Sequence, residues 1–194
     1  HRGSEKLCER ENYRQIVTLF NRRRFSAVIQ IIDACRKELP FEINAYFRFV
    51  SPLAEGFLFW EQFNHKVAIR KMTSGLTALK NYLGTYPRSG LEPFQQQVQH
   101  CTDFLNRLII ATEEGTRMHP LLIDDILNNA RRRIMDKRYD DAAARIYRAL
   151  ELYGQICFQE ATGCPTDRVL AEIVPQGIRC EFVGKYSDQK SGLL

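Results

Sequence analysis

Residues 136–159, DKRYDDAAARIYRALELYGQICFQ, constrain this chain more than any other stretch. A helix turns about 100° per residue. From Tyr139, that step places Ala142, Ala143, Ile146, Tyr147, Leu150, Tyr153 and Cys157 on the same face. Ala144, Ala149 and Leu152 interrupt the opposite side, which predicts a central helix covered on most of its circumference. Asp140 and Asp141 stand in the first turn, where carboxylates favour the helix dipole. Asp141, Arg145, Arg148 and Glu151 follow at spacings of four and three, which predicts a structural ion-pair network along the helix. Guanidinium groups on an enclosed helix need such partners, because an unpaired buried charge is very costly.

The stretch before it, HPLLIDDILNNARRRIMDK at 119–137, reads as a second amphipathic helix with Pro120 in its first turn. Leu122, Ile123, Ile126, Leu127, Ala130 and Ile134 form its apolar stripe. Of the triplet Arg131, Arg132 and Arg133, the first two point outward and Arg133 falls inside the stripe. Arg133 is therefore expected to be buried and paired. The short turn at 136–138 makes the two helices a hairpin.

Earlier segments carry the same period. Residues 11–22 and 25–39 form a first pair of helices, with Arg22, Arg23 and Arg24 at the turn and Pro40 as the stop. Residues 41–63 hold eight aromatic residues, including Phe47, Phe49, Phe57 and Trp60, and read as core. Pro52 is expected to kink or split that helix, and Gly56 to weaken it. Asn64 caps a helix over 64–83, GTYPRSG at 84–90 is the best loop, and residues 92–111 form a further helix. After Gln159, GCPT breaks the chain, and a last short helix is expected at 167–174. The expected architecture is all-α, a bundle of about six to eight helices built from antiparallel hairpins. Residues 1–10 are an extension whose first four residues resemble a tag remnant, 11–174 form the helical domain with any subdivision near 84–90, and 175–194 form an irregular tail.

Two hairpin entries, LFNRRRFSAV and IMDKRYDDAA, read alike: apolar pair, polar turn, basic residue, aromatic, helix. They resemble tetratricopeptide helices. No copy recurs at the roughly 34-residue period of that repeat, so a protein-interaction module is the minor alternative.

The string RYDDAAARIYRALE resembles the signature helix of a CRISPR-associated family whose members join an N-terminal CARF sensor domain to a C-terminal helical domain. These proteins are relatives of the accessory ribonucleases of type III CRISPR systems. LFNRRRF and FWEQFNHKVA fit the helical part of the same family, so the likeness runs from about residue 19 to 159. The resemblance implies a helical effector or scaffold domain in antiviral defence. It also implies coupling to a cyclic-oligoadenylate sensor domain in the same parent protein, and a homodimer in the cytoplasm.

The ribonuclease relatives carry an arginine followed by a histidine after four to six intervening residues. The positions that would hold it are Leu58, Phe59 and Trp60 before His65, and Pro93, Phe94 and Gln95 before His100. Before His119 they are Thr112, Glu113 and Glu114. None is arginine. The alternative is a metal-independent ribonuclease holding phosphate on arginines, and Arg131, Arg132, Arg133, Arg145 and Arg148 are the candidate nucleic-acid contacts. The formal net charge of +5 permits an RNA partner, with strong salt dependence.

Other chemistry finds no support. There is no phosphate-binding glycine loop or nucleophile elbow. Asp124–Asp125 and Asp140–Asp141 are helical neighbours that diverge, so no metal and no cofactor are expected. The six cysteines form no CxxC pair and read as reduced thiols of an intracellular chain. No apolar run reaches the roughly 18 residues of a membrane span.

Overall fold

A computed structural model describes residues 2–35, 41–113, 118–170, 172–178 and 180, with side chains from residue 11 and, after residue 40, from residue 45. It is all-α. The order is α1 (Arg2–Asn21), α2 (Phe25–Cys35), α3 (Phe41–Glu61), α4 (His65–Thr85), α5 (Glu92–Glu113), α6 (Pro120–Met135) and α7 (Tyr139–Thr162). The chain forms two compact units, 1–109 and 110–194. The division falls in the last turn of α5, so the 84–90 loop lies inside the first unit.

The first unit is built on contacts between consecutive helices: α1 with α2, α2 with α3, and α3 with α4. Its core gathers Ile16, Val28, Ile32, Phe49, Leu53 and Leu79, all buried. Tyr46, Phe47, Phe49, Phe57, Phe59 and Trp60 belong to this core or pack against it. Phe20 meets Phe25, Phe57 and Phe94 edge-on, with ring centroids 5.3, 5.9 and 5.8 Å apart. Trp60 stacks on Phe104 at 5.9 Å and so holds α5 to α3.

Pro52 does not split α3, which runs unbroken from Phe41 to Glu61. A proline inside a helix costs about 3 kcal/mol. Burial of Phe47, Phe49, Val50, Leu53 and Ala54 around it offsets that cost. Gly56 proves to be a contact residue. A Cβ there would lie 2.4 Å from Met72 Cγ, and one on Gly75 would lie 2.6 Å from Leu53 Cγ. Each glycine lets α3 and α4 approach closely.

Three helix-to-helix turns share one geometry. Arg23, Phe63 and Lys137 adopt positive φ, at 57°, 58° and 59°. In each case the next residue donates its N–H five residues back: Arg24 to Leu19 at 2.8 Å, Asn64 to Phe59 at 2.9 Å, and Arg138 to Arg133 at 2.8 Å. This is the Schellman arrangement, closing one helix and opening the next within two residues. The likeness of LFNRRRF to IMDKRYD is thus a likeness of turns, and FWEQFNH makes a third. At the third, the Asn64 side chain caps α4 by accepting from Val67 N–H at 3.3 Å.

Several boundaries differ from expectation. Helical backbone extends back to Arg2, through a run of good helix formers such as Glu5, Lys6 and Leu7. The described residues of 167–174 are not a helix. Arg168 N–H bonds the Pro165 carbonyl at 3.0 Å and Ile173 N–H the Leu170 carbonyl at 3.0 Å, so local turns win there. Helical turn appears instead at 176–178. The expected stop at Pro40, most of the 113–118 loop and the tail from 181 lie outside the described residues. The described helices include none long and apolar enough to cross a membrane.

Candidate functional site

The five candidate arginines all lie on α6 and α7, the helices of the second unit, which pack together as a hairpin. Pro120 occupies the first position of α6, and the His119 imidazole accepts from Leu121 N–H at 3.1 Å. Gly163, with φ 71°, closes α7.

The seam between the two helices is not the one that hydropathy predicts. On α7 the buried residues are Ala142, Ala149, Leu152 and Ile156. The predicted tyrosine face is exposed: Tyr147 is 72% and Leu150 65% accessible, and Tyr139, Ile146 and Tyr153 are open as well. The true face is turned by roughly 100°, the step of one residue. It recurs at alternating spacings of three and four, a coiled-coil seam whose small alanines let α6 come close. Ala149 and Leu152, which interrupt the far side of the predicted helix, are its centre.

Opposite this face α6 buries a polar row. Asp125, Asn129 and Arg133 stand four residues apart and are 1%, 1% and 8% accessible, beside buried Ile126 and Ala130. Arg145, from the middle of the α7 face, crosses to this row. Its Nε donates to Asn129 Oδ1 at 2.9 Å. Its Nη1 donates to the Asp141 carbonyl at 2.9 Å and lies 3.8 Å from the Asp141 carboxylate. That carboxylate also pairs with Arg138. Arg148 points outward and pairs with Glu151 at 2.6 Å, both more than two-fifths exposed.

The structure thus sorts the arginines. Arg133 is buried, Arg145 is engaged by Asn129 and Asp141, and Arg148 by Glu151. Arg132 is half-buried and makes contacts of its own. Arg131 is exposed and forms no hydrogen bond or ion pair with a described residue. The neighbouring acids diverge: Asp125 is buried while Asp124 is exposed, and Asp140 is exposed while Asp141 turns to the arginines. No group of three or more His, Cys, Asp or Glu among the described residues is arranged to hold a metal ion. Sequence reasoning missed Asn129 altogether. Its signal is the spacing of four from both Asp125 and Arg133, polar residues sharing one side of a helix otherwise read as apolar.

The two units coincide with two regions of family similarity. Residues 8–105 match the family described as the Csm6 6H domain, and residues 111–194 match that described as the Csm6 HEPN domain. Comparison with curated proteins gives no match, and neither does comparison with solved structures. The buried polar row of α6 and its partner Arg145 therefore lie within the HEPN region, and the aromatic core within the 6H region. The match does not extend to a CARF domain in this chain; with the 6H and HEPN regions in their order along it, the chain belongs to the Csm6 family of type III CRISPR-associated proteins.

Proposed function

We propose that this chain is the effector portion of a ribonuclease of CRISPR antiviral defence, cutting single-stranded RNA under control of a cyclic-oligoadenylate sensor domain in the same parent protein. The observation that carries the reading is the HEPN match over 111–194. In this reading the RNA 2′-oxygen attacks the adjacent phosphorus and the 5′-oxygen leaves, giving a 2′,3′-cyclic phosphate. An arginine stabilises the charge on the phosphoryl oxygens, and no metal is required. Among the five arginines, Arg131 is the one with its guanidinium open to such a phosphate. His65, His100 and His119 lack an arginine at the HEPN spacing, so none of them is assigned as the base.

The exposed apolar face of α7 supports a homodimer. A two-fold interface needs a surface complementary to itself. Here Tyr139, Ile146, Tyr147, Leu150 and Tyr153 form an apolar stripe flanked by Arg148 and Glu151, whose opposite charges can exchange partners across a two-fold axis.

The test is incubation of the chain with end-labelled single-stranded RNA in the presence of a chelator. Products ending in 2′,3′-cyclic phosphate, reduced by Arg131→Gln, support the reading. Intact RNA at micromolar protein, with the dimer formed, sinks the ribonuclease reading and leaves a helical scaffold.

A further inference from the structure

A cleft of about 220 Å³ opens between the first half of α3 and the end of α4, inside the 6H region. Its volume is below the range of about 300–1,000 Å³ usual for drug-sized ligands, so it suits a single small planar group. Ala45 and Ala78 leave the space by being small. Tyr82 and Tyr86 form one wall, with ring centroids 4.7 Å apart. The wall is braced. Tyr82 packs against Phe49 at 5.1 Å and Tyr46 at 6.3 Å, and Tyr86 N–H is fixed to the Tyr82 carbonyl at 2.8 Å. Burial beside the other tyrosine hydroxyls raises the Tyr82 pKa above its ordinary value, so the phenol stays neutral.

Thr85 donates to the Asn81 carbonyl at 3.2 Å. The Asn81 amide and the Arg48 guanidinium form no hydrogen bond or ion pair with any described residue. Among the described residues no acid lines the cleft, and Arg48 is its charged group. An aromatic wall, an amide with both donor and acceptor, and an exposed guanidinium are the chemistry that takes a base, its edge and its phosphate.

We propose that the α3–α4 cleft binds one nucleotide of single-stranded RNA, with the base on the Tyr82–Tyr86 wall, its polar edge on Asn81 and its phosphate on Arg48. The proposal rests on the reading of the chain as an RNA-acting effector and adds an RNA contact in the 6H region. An isolated nucleotide offers the same chemistry, and the test separates the two.

The experiment is fluorescence anisotropy of a labelled single-stranded oligoribonucleotide with the full chain, in chelator, at two salt concentrations. Arg48→Gln and Tyr86→Ala are each expected to weaken binding by roughly 3- to 10-fold, and the double variant by more than about 10-fold. Arg48→Gln also lowers the slope of log affinity against log salt by about 0.7. Arg48 is exposed, so its variant keeps the wild-type melting temperature and any loss is a loss of contact. Adenosine monophosphate that displaces the RNA makes the occupant a free nucleotide, while failure to displace it makes the occupant a strand. Wild-type affinity in the double variant overturns the proposal, as does a wild-type chain that binds neither probe. Because binding is read without turnover, variants that lose RNA in a chain that never cleaves it would sink the ribonuclease reading and leave the cleft standing.

Discussion

Arg145 Nε donates a 2.9 Å hydrogen bond to the side-chain oxygen of Asn129, so an amide from α6 holds the central cation of α7. Asn129 is 1% accessible, and the Arg145 side chain is 20% exposed. A bond between a charged donor and a buried acceptor contributes about 1.5–3 kcal/mol, and its loss strands the acceptor away from water. Arg145→Ala is therefore expected to destabilise the second unit by about 2–3 kcal/mol. Arg148→Ala should change it by no more than about 0.5 kcal/mol, because the Arg148–Glu151 pair lies in solvent. Urea titrations of the two variants side by side check the contrast; equal midpoints would remove Arg145 from its place in the seam.

The close approach of α3 and α4 predicts a sharp difference between glycines of one helix. At Gly75 an added Cβ would lie 2.6 Å from Leu53 Cγ and 3.0 Å from its backbone nitrogen, so the helices must separate. Gly75→Ala should cost about 1–3 kcal/mol by overpacking. Gly84, also on α4, has nothing within 4 Å of its added Cβ. Gly84→Ala should stabilise by about 0.5–1 kcal/mol through helix propensity. Thermal melts of both variants give the sign of each.

Lys137 sits at φ 59°, a left-handed conformation that costs a residue with a Cβ about 1 kcal/mol. Lys137→Gly removes that strain without touching a buried group, since Lys137 is exposed. The expected gain is about 0.5–1 kcal/mol, less what glycine loses in unfolded-state entropy. A melting temperature lowered by the change would show that the turn depends on the lysine side chain.

The apolar stripe of α7 gives the oligomer prediction. Tyr147→Asp places a carboxylate in the middle of the stripe, where 72% exposure in the single chain leaves the fold undisturbed. Light scattering after size exclusion should show the wild-type chain as a dimer and the variant as a monomer, with unchanged helical circular dichroism. A wild-type monomer at high micromolar concentration would contradict the homodimer.

Tyr46 offers a pH test. Burial, first, and then the neighbouring Tyr13 and Tyr82 hydroxyls raise its pKa well above the ordinary tyrosine value. The folded state therefore prefers the neutral phenol. Its stabilisation is complete below the unfolded pKa of about 10 and declines as pH rises beyond it. Tyr46→Phe should flatten the fall in stability between about pH 9 and 11, measured by urea unfolding at each pH. An equal slope in both proteins would place the alkaline sensitivity elsewhere.

The period of the apolar residues was enough to show that the chain is helical, where most helices stop, and that Arg133 turns inward while Arg131 does not. Those properties are local, set by 3.6 residues per turn, by cap chemistry and by proline and glycine. The string RYDDAAARIYRALE likewise carried the CRISPR association in its own letters. Which side of α7 is buried was decided only by packing. Hydropathy favours Tyr139, Tyr147 and Leu150, yet the close approach to α6 needs the small Ala142 and Ala149 and a guanidinium that can reach Asn129. The same holds for the cleft beside Tyr82, whose groups come from two consecutive helices and stand thirty or more residues apart in the chain. Periodicity describes one helix at a time, whereas a seam or a cleft depends on the shape of a second helix, which no single segment encodes.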